Sequence, residues 1–169
     1  MAVSDVIRTV LAVRQFRDEP IPENVVREIV EAGHLTASAG NQQPWHFIVV
    51  QNKETLRKLG ELAKSGPYIA QAPLAIVVAA EQTPFATSDA SRAIQDQILT
   101  AWEHGVGSNW VGFNNLPQVK PVLGIPDNID VIAIVPFGYP VAKNLGKGNK
   151  KRKPLGEVAH NERWGQPFA

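Results

Sequence analysis

Apolar residues along this chain follow two patterns, a helical spacing and short unbroken runs, which predict helices packed around a sheet. Helical spacing predicts four longer helices, over residues 3–13, 22–33, 53–64 and 89–104. Unbroken apolar runs predict three buried strands, over residues 47–50, 74–80 and 130–137. Two shorter elements are expected, a strand or extended loop over 108–113 and one or two helical turns over 117–123.

Residues with special backbone preferences refine the ends of these helices. Pro22 suits the first position of the second helix, and Asn52 is a suitable N-cap for the third. Ser88 and Asp89 can cap the longest helix, which Gly105 then closes.

The stretch from Thr36 to Val50 lies between a predicted helix and a predicted strand. Its first part is small and polar, and it passes through Gln42, Gln43 and Pro44 before the strand begins. Small residues let the backbone approach a flat ligand, and amide side chains add donors and acceptors without charge. These properties suit the polar edge of a heteroaromatic ring. The alternative is a polar connection whose side chains satisfy only local turns.

Composition favours one globular domain with an ordinary core. The chain has 169 residues, of which 44% are hydrophobic and 20% are charged, and its formal net charge is +1. This charge gives no general attraction to nucleic acid or membranes. The first residues lack a basic segment followed by a long apolar one, so we expect a cytoplasmic protein. Residues 145–169 are predicted to be a C-terminal extension of the single domain 1–169, packed on a partner subunit because its apolar residues have no local core.

Several catalytic constellations are excluded. The chain has no cysteine, which removes disulfides, thiolate metal sites and iron–sulfur clusters. The four histidines are scattered without metal-ligand spacing, so no metal site is expected. Gly105 and Gly107 lack the third glycine of a dinucleotide-binding fingerprint, and Ser38 does not lie in a nucleophile elbow. Redox chemistry would therefore need a bound cofactor.

Two cationic positions remain open to more than one interpretation. Arg14 follows the first helix and could face a ligand, or it could form a surface ion pair with Asp18 or Glu19. The basic run from Lys147 to Lys153 could be a solvated tail, a phosphate clamp or a nucleic-acid contact. The last is weak because no aromatic residues are interleaved with the lysines.

Several segments in this order resemble the nitroreductase family of FMN-dependent oxidoreductases. They are Val13-Arg14-Gln15-Phe16, Pro20-Ile21-Pro22, Ser38-Ala39-Gly40-Asn41-Gln42-Gln43-Pro44-Trp45, Gly105-Val106-Gly107-Ser108-Asn109-Trp110-Val111-Gly112, Leu123-Gly124-Ile125-Pro126 and Lys150-Lys151-Arg152-Lys153-Pro154-Leu155. The element Ser-x-x-Asn-x-Gln-Pro-Trp is the most specific of them. The resemblance extends over nearly the whole chain.

The resemblance implies an α+β fold, with a central mixed, mostly antiparallel sheet flanked by helices, in an intertwined homodimer that holds FMN at its interface. By this similarity, Arg14 would lie near the flavin pyrimidine and the backbone at Val111 and Gly112 near N5, while Lys150 and Arg152 would take the phosphate. The residues expected to line the ring are Ser38, Ala39, Gly40, Asn41 and Gln43. No side chain is assigned a catalytic role, because the chemistry belongs to flavin N5.

One segment departs from the family pattern. Before Arg14 the family commonly shows a basic pair and a serine that serve the cofactor, whereas this chain has Val10, Leu11 and Ala12. We therefore expect looser phosphate anchoring, or anchoring shifted onto the tail cations.

The function expected from these observations is NAD(P)H-dependent reduction of a nitroaromatic, a quinone or a related acceptor by ping-pong hydride transfer. The alternatives are a flavin-binding storage or sensor protein without turnover, and a cofactor-free interaction protein of the same fold.

Overall fold

The computed structural model describes residues 2–112, 116–143, 145–146 and 150–168. It contains five α-helices in this part of the chain: α1 (Val3–Thr9), α2 (Glu23–His34), α3 (Lys53–Leu62), α4 (Ala86–Glu103) and α5 (Lys120–Leu123). Four strands accompany them: β1 (Trp45–Val50), β2 (Leu74–Glu81), β3 (Gly107–Ser108) and β4 (Ile129–Gly138). Short 3-10 turns occur at Ala39–Asn41, Pro67–Gln71, Pro117–Val119 and Leu155–Glu157.

The four strands form one sheet in the order β1-β2-β4-β3, and each neighbouring pair is antiparallel. The parallel contribution to this sheet is an isolated bridge between Ala12 and Ser108. The predicted α+β class with a mostly antiparallel sheet is therefore confirmed.

Helices cover both faces of the sheet, as the unbroken apolar run of β2 predicts. Leu74, Ile76 and Val78 point into the cluster formed with α2 and α4. Ala75 and Val77 point into the second cluster, with α3 and the 3-10 turns. Every β2 residue except the last is buried, because side chains alternate between two covered faces.

The helix starts agree only partly with the predicted caps. Asn52 is the N-cap of α3, and its side chain accepts a hydrogen bond from the Thr55 N–H at 3.0 Å. Pro22 is the N-cap of α2 rather than its first helical residue. The predicted cap at Ser88 and Asp89 is wrong, because α4 begins at Ala86 with Phe85 as N-cap.

The first helix is shorter than the apolar spacing predicts. α1 ends at Thr9, since the backbone of Val10 is already extended at ψ 132°. Residues 12–16 then run beside the end of the sheet, where Val13 N–H donates to Ser108 C=O at 2.8 Å. Among the apolar residues of α1 only Val6 is buried, while Val3 and Ile7 are 71% and 52% exposed.

The C-terminal segment folds back on itself. The Asn161 N–H donates to Gln166 C=O, and the Phe168 N–H donates to Ala159 C=O. Its large apolar side chains remain exposed, with Trp164 at 91% and Leu155 at 63%. The segment therefore has no core of its own within the described part of one chain.

Candidate functional site

The residues predicted to line a ring form a tight turn, residues 38–43, which we call the 38–43 loop. Ser38 Oγ accepts a hydrogen bond from the Gln43 N–H at 2.9 Å, which closes the turn. The Gln43 side-chain amide donates to the Asn41 backbone carbonyl and side-chain oxygen, each at 3.2 Å. Gly40, Asn41 and Gln43 are exposed. The loop thus presents small and amide side chains from an internally bonded backbone.

The backbone of the 38–43 loop is strained. Gly40, Asn41 and Gln43 have φ values of 56°, 55° and 51°, in the left-handed region. For residues other than glycine this region costs about 1–2 kcal/mol each. Such conformations persist only where the surroundings impose them, and they are concentrated at binding sites.

Arg14 lies in the extended segment that follows α1, and its side chain is exposed. Its neighbours fix the backbone: Ala12 bridges Ser108, and Phe16 bridges Pro140. The surface ion pair considered for Arg14 is not formed with either acid, because Glu19 pairs with Arg17 and Asp18 with Lys53.

Val111 and Gly112 follow β3 and lie further along β4 than this segment does. The Val111 N–H and C=O are both bonded to Ile134, at 2.9 Å each. Gly112 has φ 86°, and its carbonyl accepts from the Trp110 indole N–H at 2.6 Å. Within residues 2–112, 116–143, 145–146 and 150–168, the Gly112 N–H donates to no backbone acceptor, so it is the backbone donor that this turn can offer to a ligand.

The tail cations lie near α1. Lys150 Nζ donates to the Ile7 carbonyl of α1 at 2.6 Å, and Arg152 is exposed. Burial lowers the pKa of Lys150, and repulsion from Arg152 lowers that pKa further. Two cations that repel each other in this way form a suitable place for an anion. Lys147, Gly148 and Asn149 of the predicted basic run, and Phe113 of the predicted extended segment, lie outside the described residues.

We group Arg14, Val111, Gly112, Lys150 and Arg152 as the Arg14 group. The structure brings the three cations of this group to one end of the sheet, through Ser108, Val13 and α1. Val111 and Gly112 lie about halfway along the sheet, because Val111 pairs with Ile134, which pairs with Val77 in the middle of β2.

The 38–43 loop lies at the opposite end of the sheet. The loop leads into β1, where Trp45 pairs with Ala80 near the end of β2. Ser108 pairs with Phe137, which in turn faces Leu74 at the start of β2. From Leu74 to Ala80 a strand extends about 20 Å at roughly 3.3 Å per residue. One chain therefore does not bring its own loop and its own Arg14 around one ring.

Comparison with known proteins decides the family. The sequence model of the Nitroreductase family matches residues 8–83 and 64–139, which together make up more than half of the chain. The chain belongs to the nitroreductase family. A protein of Archaeoglobus fulgidus with the provisional name NADH dehydrogenase/NAD(P)H nitroreductase is 34% identical, over 94% of this chain and 96% of the relative.

Two further members differ more in sequence. An FMN reductase [NAD(P)H] of Bacillus subtilis is 25% identical, over 89% of this chain and 70% of its own length. The structure of an FMN-dependent nitroreductase of Clostridium difficile superposes with a TM-score of 0.87 at 24% identity, and covers 95% of this chain and 99% of that one. The predictions of a nitroreductase-family fold and of an NAD(P)H-dependent flavin oxidoreductase are confirmed.

Other classes of site are absent from the part of the chain that the structure describes. No group of three potential ligands could hold a metal ion there. No helix in that part is long and apolar enough to span a membrane.

Two residues near the site were missed by the sequence analysis. Asp89 is fully buried and accepts a hydrogen bond from the Ala39 N–H of the 38–43 loop. The Asn109 side chain, next to the Arg14 group, donates to the Tyr68 hydroxyl. A signal existed for Asp89, since it shares the buried stripe of α4 with Ala93 and Gln97 at helical spacing. No local pattern links Tyr68 to Asn109, because they are far apart along the chain.

Proposed function

We propose that this nitroreductase-family protein is a homodimeric FMN enzyme in which each flavin site combines the 38–43 loop of one chain with the Arg14 group of the other. The supporting observation is the separation of the loop from the three cations of the Arg14 group, which lie at opposite ends of the sheet. Each region alone suits only part of the cofactor. A site that contains both the loop and the Arg14 group therefore needs two chains.

The residues of the two regions fit FMN. A Cβ built on Gly40 meets only Gln42 Cγ, at 4.0 Å, so the space above the loop is open to a flat ring. The loop side chains offer neutral donors and acceptors for a ring edge. In the Arg14 group, Lys150 and Arg152 provide an ammonium and a forked guanidinium, which together match a phosphate dianion.

Exposed apolar surface supports the homodimer. The outer side of α1 exposes Val3 and Ile7, and the tail exposes Trp164, Val158 and Phe168. Large apolar side chains exposed in this way are available to a subunit interface. The tail would pack on the partner, as the sequence predicts for residues 145–169.

When bound, FMN supplies hydride acceptance from NAD(P)H and hydride donation to an acceptor. The chain's own residues would prepare the site for this chemistry. Arg14 would place a positive charge at the pyrimidine edge, where negative charge develops on reduction. The Gly112 N–H would donate a hydrogen bond near the reacting edge, and the 38–43 loop would keep the ring flat and partly shielded from water.

The proposed reaction is ping-pong reduction of a nitroaromatic, a quinone or a related acceptor. The oxidised nicotinamide would leave before the acceptor binds, because both need the same exposed face of the ring.

An absorption spectrum with a turnover assay tests the proposal. We expect the purified protein to be yellow, to hold about one FMN per chain, and to oxidise NADH or NADPH continuously when a quinone or nitroaromatic is added. Colourless protein that leaves FMN fluorescence unchanged would contradict the proposal. A flavin that bleaches once and then stays reduced would show a sensor or storage protein instead.

A further inference from the structure

Asp89 is a buried carboxylate that no step proposed above uses. It lies in the first turn of α4, and its exposed fraction is 0%. Burying a carboxylate costs several kcal/mol unless charges and hydrogen bonds compensate for the lost water. Its partners should therefore show what it does in the fold.

Those partners connect α4 with the 38–43 loop. The Ala39 N–H lies 3.2 Å and 3.3 Å from the two carboxylate oxygens of Asp89. The Arg92 guanidinium, one helical turn further along α4, forms an ion pair with the same carboxylate. The Arg92 side chain is half exposed, so it balances the charge of Asp89 from the edge of the core.

The 38–43 loop is held by a hydrogen bond at each end. Asp89 fixes the backbone at Ala39, and Ser38 Oγ fixes it at Gln43. Gly40 and Asn41, which have left-handed backbone conformations, lie between these points, and Gln43 is the third such residue. Hydrogen bonds at both ends supply the constraint that such a strained segment requires.

We propose that Asp89 is a positioning residue, which holds the 38–43 loop in its strained, ligand-ready conformation through the Ala39 N–H, with Arg92 neutralising its charge. Its effect on a flavin rests on the proposed function. Its effect on the loop does not, and can be measured in the protein without any ligand.

The first measurement is backbone amide hydrogen exchange followed by NMR in the ligand-free protein. In the wild type, the Ala39 amide should exchange slowly although its neighbour Gly40 is exposed. In Asp89→Asn, which retains one weaker neutral acceptor, the Ala39 and Gln43 amides should exchange about tenfold faster. Amides in the middle of α4 should keep their wild-type rates.

The second measurement is the FMN dissociation constant by fluorescence quenching. Asp89→Asn should weaken FMN binding about tenfold, because the loop loses the charge-assisted hydrogen bond that holds its conformation. Two control variants separate this effect from a general loss of negative charge and from a general loss of stability. Asp127→Asn removes an exposed carboxylate at the same end of the sheet, and Ile94→Val destabilises the buried face of α4; both should bind FMN as the wild type does.

The outcomes distinguish the two proposals. Fast exchange of the Ala39 amide in the wild type would overturn the positioning role, even if Asp89→Asn cannot be purified. The positioning role would also be overturned if Asp89→Asn and Ile94→Val had the same amide exchange rates in the loop and the same FMN affinity. If the wild type binds no FMN but Asp89→Asn accelerates loop exchange, the positioning of the loop stands and the proposed function fails.

Discussion

The 38–43 loop has no charged residue among its six positions, whereas the Arg14 group has three cations among its five. The loop is held by internal hydrogen bonds and by a buried carboxylate, and its backbone is strained. The cations of the Arg14 group sit on exposed or half-exposed side chains. One region therefore offers a fixed shape, and the other offers charge.

This difference predicts how each region responds to conditions. Contacts that depend on shape and neutral hydrogen bonds change little with salt, whereas exposed charges are screened over about 8–10 Å at moderate ionic strength. Variants in the loop and variants in the Arg14 group can thus be told apart by the salt dependence of FMN affinity.

The largest expected effect comes from Gly40→Val. The side chain would enter the open space above the loop at φ 56°, where a β-branched residue is strained. We expect FMN affinity to fall on the order of 100-fold, equally at low and high salt. Equilibrium dialysis at two salt concentrations measures this.

Gly105→Val is the matched control for that substitution. Gly105 also has a left-handed backbone, with φ 73°, and open space around its Cβ position. The Gly105→Val variant should lose about as much free energy of unfolding as Gly40→Val, about 1–2 kcal/mol, while keeping its FMN. Equal loss of FMN in the two variants would mean that Gly40 acts only through stability.

A smaller effect is expected from the double variant Lys150→Ala/Arg152→Ala. Loss of both cations should weaken FMN binding about tenfold at low salt and much less at high salt. The control is Lys151→Ala/Lys153→Ala, which removes the same charge from the same segment. If both double variants lose FMN equally, only the net charge of the tail matters.

The smallest effect concerns pH and Lys150. Burial and Arg152 lower its pKa, so the ammonium loses its proton below the pH usual for lysine. FMN affinity should fall as pH rises through this lowered pKa, because the deprotonated amine no longer attracts the phosphate. The ligand-free protein should gain slight stability over the same interval, since the unfolded chain binds that proton more tightly.

Lys150→Arg provides the comparison for the pH experiment, because a guanidinium stays protonated throughout the alkaline range. Its FMN affinity should not change over the interval in which the wild type loses affinity. A parallel decline in both proteins would assign the titration to another group.

Much of the fold could be predicted because its cause is local. The run at β2 is apolar on both faces, and Asn52 caps α3 by a bond three residues away. The end of α1 could not be predicted, because Val10 and Leu11 continue the helical spacing while the backbone at Ser108 pairs with the extended segment instead. Tertiary pairing overrides periodicity there.

In the candidate site, too, features with a local cause could be predicted and features that depend on tertiary contacts could not. The loop could be recognised from its small and amide residues, which are contiguous. The role of Asp89 depends on a contact with Ala39, fifty residues earlier in the chain, and its position near the start of α4 favoured a cap. The opposite placement of the loop and the cations of the Arg14 group follows from strand order and register, which local patterns do not specify.

The most direct test of a two-chain site is complementation between defective subunits. Gly40→Val and Lys150→Ala/Arg152→Ala are co-expressed with different affinity tags, and the doubly tagged heterodimer is purified. One of its two sites then combines an intact loop with an intact Arg14 group. We predict about one FMN per heterodimer, bound with wild-type affinity. A heterodimer that binds FMN no better than its two parents, or the absence of any doubly tagged species, would contradict the account.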